Sequence, residues 1–282
     1  MGEKMLSPKQ INQYSENGFT VKRGMISKND ISKLLVEIDR IVGESTASHF
    51  DPDTLEMEPD QDYSGRLVRR IYDPCTKYEP FVNLSENIEV LNCVEQLIGP
   101  NLVFNQSKIN MKLPQIGSEV EWHQDMAYGL LTNKKCLALL LYLDDADKTN
   151  GCLQVIPQQH NNRLFDHSLK GVFQGKVTEN IDKNNAVAIE AEAGTVIFLH
   201  CMTPHSSLPN TSNKPRRTVI WGYRAADAYP VNIGDEGLVD VDRIVRGQKS
   251  HNAIFEEMNL QVPMYPQKGM SLYEIQERSK NI

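Results

Sequence analysis

Leu102-Val103-Phe104-Asn105-Gln106-Ser107-Lys108-Ile109-Asn110-Met111-Lys112 is where the hydrophobic period of the chain changes from that of a helix to two. Alternate residues of an extended strand point to opposite faces. One face would then carry Phe104, Gln106, Lys108, Asn110 and Lys112, the other Asn105, Ser107, Ile109 and Met111. On a solvated sheet such a polar stripe has no further meaning, whereas inside a barrel it lines a ligand cavity.

Downstream the pattern stays β. The run 136–143 is continuously apolar and reads as a buried central strand. A turn over 144–151 leads to a strand at 152–156, and Pro157-Gln158-Gln159-His160 to another turn, with His160 as a turn-stabilising side chain. A polar excursion over 161–185 holds His167 without visible partners, and strands follow at 186–190 and 195–200.

Upstream the pattern is helical. Ser7-Pro8 opens a helix that Gly18 closes, before a short strand at 19–21. Ser27 with Asp30 starts a second, whose apolar stripe is Ile31, Leu34, Leu35, Ile38, Ile41 and Val42. Ser85 is expected to cap a third, with Ile88, Leu91, Val94, Leu97 and Ile98 on its buried face and Gly99-Pro100 as its stop. Between them, 44–65 reads as a mobile acidic loop or a lid. Arg66, Arg69 and Arg70 then form either a solvated basic strand or a set of anion anchors.

Seven or eight short strands preceded by helices make the chain mainly β with flanking helices: a double-stranded β-helix, the jelly-roll or cupin-like core. A single domain is expected over 1–282, with 1–100 as a helical N-terminal part and loop, 101–227 as the jelly-roll core and 228–282 as a C-terminal extension. The extension covers the barrel's open edge, reaches over the pocket or makes a dimer contact; a monomer and a homodimer both fit.

A formal charge of −7 and a pI near 5.6 argue against a nucleic-acid binder or an anionic-membrane binder. Any anionic ligand must meet a local basic cluster. Cys75, Cys93, Cys136, Cys152 and Cys201 are odd in number and lack a C-x-x-C, which suits reduced core thiols in a cytoplasmic setting. The first residues show no apolar signal region, and no run approaches membrane-spanning length.

The chemistry gathers around Glu121-Trp122-His123-Gln124-Asp125. His123 and Asp125, two apart on an extended strand, point to one side, so an imidazole and a carboxylate can meet at one point. Eighty residues on, His205 offers a third ligand, with His200 as its competitor, and Arg216 follows His205 by eleven positions. Two histidines and a carboxylate on one face of a metal leave its other positions open, as in non-haem Fe(II) oxygenases.

The pattern from Glu121-Trp122-His123-Gln124-Asp125 through Asn150-Gly151-Cys152 and Gly194-Thr195-Val196 to His205 and Arg216 resembles the phytanoyl-CoA dioxygenase family of Fe(II)/2-oxoglutarate oxygenases. The resemblance implies His123, Asp125 and His205 as iron ligands, since only His205 precedes an arginine by the family's spacing. It implies Arg216 for the distal carboxylate of 2-oxoglutarate, with Gln106 and Asn110 near cofactor and substrate and ascorbate as an added reductant. It further implies that O2 and 2-oxoglutarate drive oxidation of an unactivated C–H by hydroxylation, desaturation or ring closure.

Lys108, Lys112 and Arg224, joined by Arg69 or Arg70, would put several cations near the cavity of an acidic protein. Burying them unpaired is costly. A small anionic substrate, amino-acid-like or a natural product, is therefore expected. Tyr128 and Trp122 flank the metal strand as the apolar side of the pocket or as core. The competing reading is a cupin-like module that binds metal or a small ligand without oxidising it.

Overall fold

The caps read from the sequence close the first helices. Ser7 accepts from the Gln10 amide and Gly18 ends the helix at φ 78°, which only glycine adopts without strain. Space demands glycine there as well, because a Cβ on Gly18 would lie 2.3 Å from Thr203 Oγ1. The third helix starts later than expected. Asn87, not Ser85, is its cap, accepting from the Glu89 and Val90 amides, and Ile88 is exposed. Ser85 instead ends a preceding helix that the sequence reading missed.

The computed structural model describes residues 5–44, 51–58, 67–231, 243–258, 260, 263–264 and 275–276. In chain order come α1 (Pro8–Asn17), β1 (Phe19–Lys22), α2 (Lys28–Gly43), β2 (Leu55–Met57), β3 (Val68–Tyr72), α3 (Pro74–Lys77), α4 (Glu79–Ser85) and α5 (Ile88–Ile98). Then follow β4 (Leu102–Lys112), β5 (Val120–His123), β6 (Cys136–Tyr142), β7 (Leu153–Val155), β8 (Ser168–Leu169) and β9 (Val172–Phe173). The last are β10 (Val187–Ile189), β11 (Val196–His200), β12 (His205–Ser207), β13 (Arg216–Ala225) and β14 (Arg243–Arg246). Most of the acidic loop expected over 44–65, with its lid alternative, lies outside the described residues. So do Arg66 and most of the C-terminal segment.

The major sheet runs β1-β11-β6-β13-β4-β3-β2, with β14 also on β4, and the minor sheet runs β10-β7-β12-β5. All pairings within them are antiparallel. The jelly-roll core is thus wider than 101–227. β1, β2 and β3 come from the N-terminal part and β14 from the extension, which here completes the sheet edge beside β4. Among the described residues no helix is long and apolar enough to cross a membrane.

β6 shows why its sequence is apolar throughout. Leu137, Leu139 and Leu141 face Ile31, Leu34, Ile38, Val90 and Val94 of the helices, while Ala138, Leu140 and Tyr142 face Leu153, Val155 and Ile189 of the minor sheet. A sheet covered on both faces needs apolar residues at every position. Ile38 is fully buried where α2 meets this sheet, so Ile38→Ala is expected to cost about 2–5 kcal/mol. Urea denaturation would show it as a lower midpoint at unchanged slope.

One irregularity re-aims the first half of β4. The β4 register against β13 shifts between Gly222 and Tyr223, where Gly222 pairs with Gln106 but Tyr223 with Phe104. Asn105 is the extra residue of this bulge. Phe104 therefore turns to the helix side, edge-on to Tyr223 at 6.3 Å, and does not share a face with Lys108 and Asn110 as alternation predicts.

Candidate functional site

β5 and β12 are neighbours in the minor sheet, and their register places His205 directly opposite His123. Cross-strand partners share a face, so two imidazoles 82 residues apart in sequence lie with ring centroids 4.1 Å apart. Asp125 does not sit on the strand, as the sequence reading has it. Gln124 is extended, and Asp125 begins the turn that follows, its Oδ1 3.9 Å from His123 Nε2 and 3.7 Å from His205 Nε2. One ligand atom from each residue lies within 4.8 Å of the others.

Each histidine is held through its other nitrogen. His123 Nδ1 is 2.8 Å from the Glu121 carbonyl and His205 Nδ1 is 3.0 Å from the Thr203 carbonyl. A carbonyl can only accept, so both Nδ1 atoms carry protons and both Nε2 lone pairs turn to the centre. Burial and the adjacent His205 keep His123 well below the usual histidine range, which leaves it a neutral donor. His200 takes no part: its Nδ1 accepts from the Met202 amide, and burial pushes it down to about 3.

The turn is fixed from behind. Gln124 is fully buried; its side chain donates to the Met202 carbonyl at 2.7 Å and accepts from the Phe165 amide at 2.7 Å. Its own amide donates at 3.0 Å to Nε2 of His167, whose Nδ1 donates to the Phe165 carbonyl. His167 thus has partners, contrary to expectation. The signal that could have found this clamp is parity: Gln124 points away from its neighbours into the protein, and a buried amide must be paired.

The centre opens onto a cavity between the sheets, lined among others by Arg70, Lys108, Asn110, Tyr142, Ser207 and Arg216. Gln106 is exposed and absent from that lining, because it sits next to the bulge at the sheet's far end. Trp122 is absent too, since strand parity sends it opposite to His123. Arg70, rather than Arg69, reaches the cavity. Its Nε donates to Asn110 Oδ1 at 2.9 Å and its Nη1 to Glu56 at 3.0 Å, whereas Arg69 lies farther along with Glu58 and Lys112.

Arg224 is buried, with Nη1 on the Ala228 carbonyl. The Tyr128 hydroxyl donates to the Gly175 carbonyl while its ring meets His123 edge-on at 5.5 Å. The Lys112 ammonium donates to the Ser207 and Leu208 carbonyls and does not line the cavity. Lys108 does; burial and the Arg70 charge push it down to about 8, against the pull of Asp125.

Arg216 and Arg217 show what strand parity decides. Arg217 forms a fork on Asp144, Nε to Oδ2 at 2.9 Å and Nη2 to Oδ1 at 2.7 Å, on the helix side. Arg216 points into the cavity, 4% exposed, with Nη1 on Thr218 Oγ1 at 2.8 Å and Nη2 on the Gly151 carbonyl at 2.6 Å. Its Nε has no acceptor and no described carboxylate pairs with it. A buried guanidinium in this condition fits the carboxylate of a bound acid. The donor set of two imidazoles and one carboxylate likewise fits Fe(II).

A jelly roll with two histidines and a carboxylate around one point is the arrangement that non-haem iron oxygenases use. The model of the family Phytanoyl-CoA dioxygenase (PhyH) matches residues 14–218, and the chain belongs to that family. It is 29% identical over 276 residues to a probable alpha-ketoglutarate-dependent hypophosphite dioxygenase of Stutzerimonas stutzeri, covering 94% of this chain and 93% of the relative. It is 25% identical over 242 residues to the ectoine dioxygenase of Bordetella bronchiseptica, covering 79% and 76%. The crystal structure of EctD from S. alaskensis with 2-oxoglutarate and 5-hydroxyectoine shares the fold at a TM-score of 0.69 and 20% identity, over 91% of this chain and 89% of that one.

The protein is an Fe(II)/2-oxoglutarate-dependent dioxygenase, with O2 and a small molecule as its other substrates. The alternative of a binding module without oxidation gives way to it. Iron and 2-oxoglutarate, when bound, would activate O2, which is the oxidant, the keto acid giving up two electrons as it becomes succinate and CO2.

Proposed function

We propose that His123, Asp125 and His205 hold the iron, that Arg216 takes the distal carboxylate of 2-oxoglutarate, and that the enzyme hydroxylates a small monoanion. The observation that carries the substrate class is Lys108. Its ammonium lines the cavity on the same face as Asn110 and makes no hydrogen bond among the described residues. A lysine so placed awaits an anion.

Charge sets how many negative charges that anion bears. A divalent iron, a dianionic keto acid, the Asp125 carboxylate and the Arg216 guanidinium cancel one another. Arg70 is answered by Glu56 at 3.0 Å. Of the cations lining the cavity, Arg70, Lys108 and Arg216, this leaves the charge of Lys108, matched by one negative charge on the substrate. The relative from Stutzerimonas stutzeri is named for hypophosphite, a monoanion, which supports this reading. Small carboxylates and phosphonates share the chemistry, and the attacked bond is C–H or, in a hypophosphite-like anion, P–H.

Succinate formation stimulated by substrate tests it. Hypophosphite, alkylphosphonates, amino acids, ectoine and acyl-CoA are compared, and the small monoanions are expected to stimulate. Stimulation by acyl-CoA alone would overturn the substrate class. Lys108 is charged below about 8 and neutral above it, so substrate affinity is expected to fall as pH rises through that value and Lys108→Met to remove the dependence. The five cysteines are free and buried, which supports a reducing, cytoplasmic setting for the enzyme as a monomer or homodimer.

A further inference from the structure

Lys112 and Arg216 are direct partners in the β4–β13 register. Like charges opposite one another in a sheet repel. Here both are buried, 5% and 4% exposed. A protein that keeps such a pair must offset it, and the surroundings show how.

Lys112 runs under Gly151. A Cβ at Gly151, φ 79°, would lie 2.3 Å from the Leu208 carbonyl, 3.1 Å from Lys112 Cδ and 3.2 Å from Lys112 Nζ. The ammonium donates to the Ser207 carbonyl at 3.1 Å and to the Leu208 carbonyl. The Gly151 carbonyl in turn accepts from Arg216 Nη2 at 2.6 Å. Asn210, 2% exposed, locks the same place by donating to the Lys112 carbonyl at 3.0 Å and the Lys214 carbonyl at 2.8 Å. Lys112 is thus packed against a backbone group that orients Arg216, while Arg216 Nε is left without an acceptor among the described residues.

We propose that Lys112 is a positioning residue for the co-substrate: it fixes Gly151 and, through the Gly151 carbonyl, the Arg216 guanidinium, so that the pocket selects a keto acid with a second carboxylate. The selection rests on the reading that Arg216 takes the distal carboxylate. Burial and the neighbouring Arg216 charge hold Lys112 well below the usual lysine range, so the side chain acts through its packing and its hydrogen bonds to the Ser207 and Leu208 carbonyls. Lys112, expected from sequence to touch substrate, acts on the co-substrate instead.

The test compares 2-oxoglutarate with 2-oxobutyrate, which lacks the distal carboxylate, on protein loaded anaerobically with Fe(II). Affinities are read by calorimetry and from the absorption of the iron–keto acid chelate. Lys112→Met is expected to weaken 2-oxoglutarate at least tenfold and 2-oxobutyrate less than threefold, collapsing the ratio between them, while Lys112→Arg keeps most of it. A ratio unchanged within twofold in folded Lys112→Met, or equal weakening of both acids, would overturn the proposal. If Lys112→Met does not fold, Lys112→Leu, which fills the space without a donor for the carbonyls, is measured in the same way and read by the same ratio. Arg216→Met must also collapse the ratio; if it does not, the reading of Arg216 fails, whatever Lys112 shows.

Discussion

Asp125→Ala is expected to abolish oxidation while leaving the fold intact. The carboxylate makes no hydrogen bond among the described residues; its Oδ1 lies 3.7 Å from His205 Nε2 and 3.9 Å from His123 Nε2. The turn that carries it is held by other groups: the Met126 amide on the Cys201 carbonyl, the Tyr128 amide on the Asp125 carbonyl, and the Gln124 clamp. Removing the carboxylate therefore takes away a ligand and no fastening. The melting temperature of metal-free protein should change by no more than about 2–4 °C, the equivalent of about 1 kcal/mol in a domain of this size.

Metal binding should respond far more strongly. Losing an outer partner of a metal ligand already costs roughly 10–100-fold in affinity or activity. Losing the ligand itself should exceed that, with Fe(II) binding weakened by more than about a hundredfold and no chelate absorption on anaerobic addition of 2-oxoglutarate. Full coupled turnover by Asp125→Ala would place the iron elsewhere.

Much of this geometry was legible because strands have a period of two. Lys108, Asn110, Thr218 and Ile220 fall on the cavity face and Trp221 and Tyr223 on the helix face, as alternation requires. Alternation fails where the backbone departs from it. The bulge at Asn105 sends Phe104 to the helices, and a register shift between Glu56 and Met57 makes Arg69 an extra residue of β3, so that Arg69 and Arg70 both reach Glu56, at 3.7 and 3.0 Å. Neither shift leaves a mark in composition. Glu56, which answers Arg70, is hidden for another reason: it belongs to a three-residue strand inside an acidic stretch, and only its pairing with β3 gives it a place. The His123–His205 contact needs β5 and β12 to be neighbours, which no local pattern specifies. Asn87 and Ser85 are both sound cap residues two positions apart, and packing of α4 decides between them.

Arg216→Lys is expected to weaken 2-oxoglutarate strongly, although the substitution keeps the charge. Arg216 presents a planar fork already tied at two corners, to Thr218 Oγ1 and the Gly151 carbonyl, with Nε buried and without an acceptor among the described residues. A lysine would offer one compact ammonium, which cannot present the two parallel N–H groups that match a carboxylate. Truncating one partner of a buried, hydrogen-bonded charge pair costs roughly 2–5 kcal/mol. With the charge retained, the lower end applies, about 30-fold in the Kd for 2-oxoglutarate; Arg216→Met should reach the upper end. Fe(II) affinity should stay within about threefold, since no iron ligand is touched, and turnover at saturating keto acid should fall less than kcat/KM, the mark of lost binding. Arg217→Met supplies the contrast. Its fork is filled by Asp144 on the other face of the strand, so its loss should cost stability and leave the Kd for 2-oxoglutarate unchanged. If Arg217→Met weakened 2-oxoglutarate and Arg216→Met did not, the faces of β13 would be reversed and the cavity would have to be built from the opposite set of side chains.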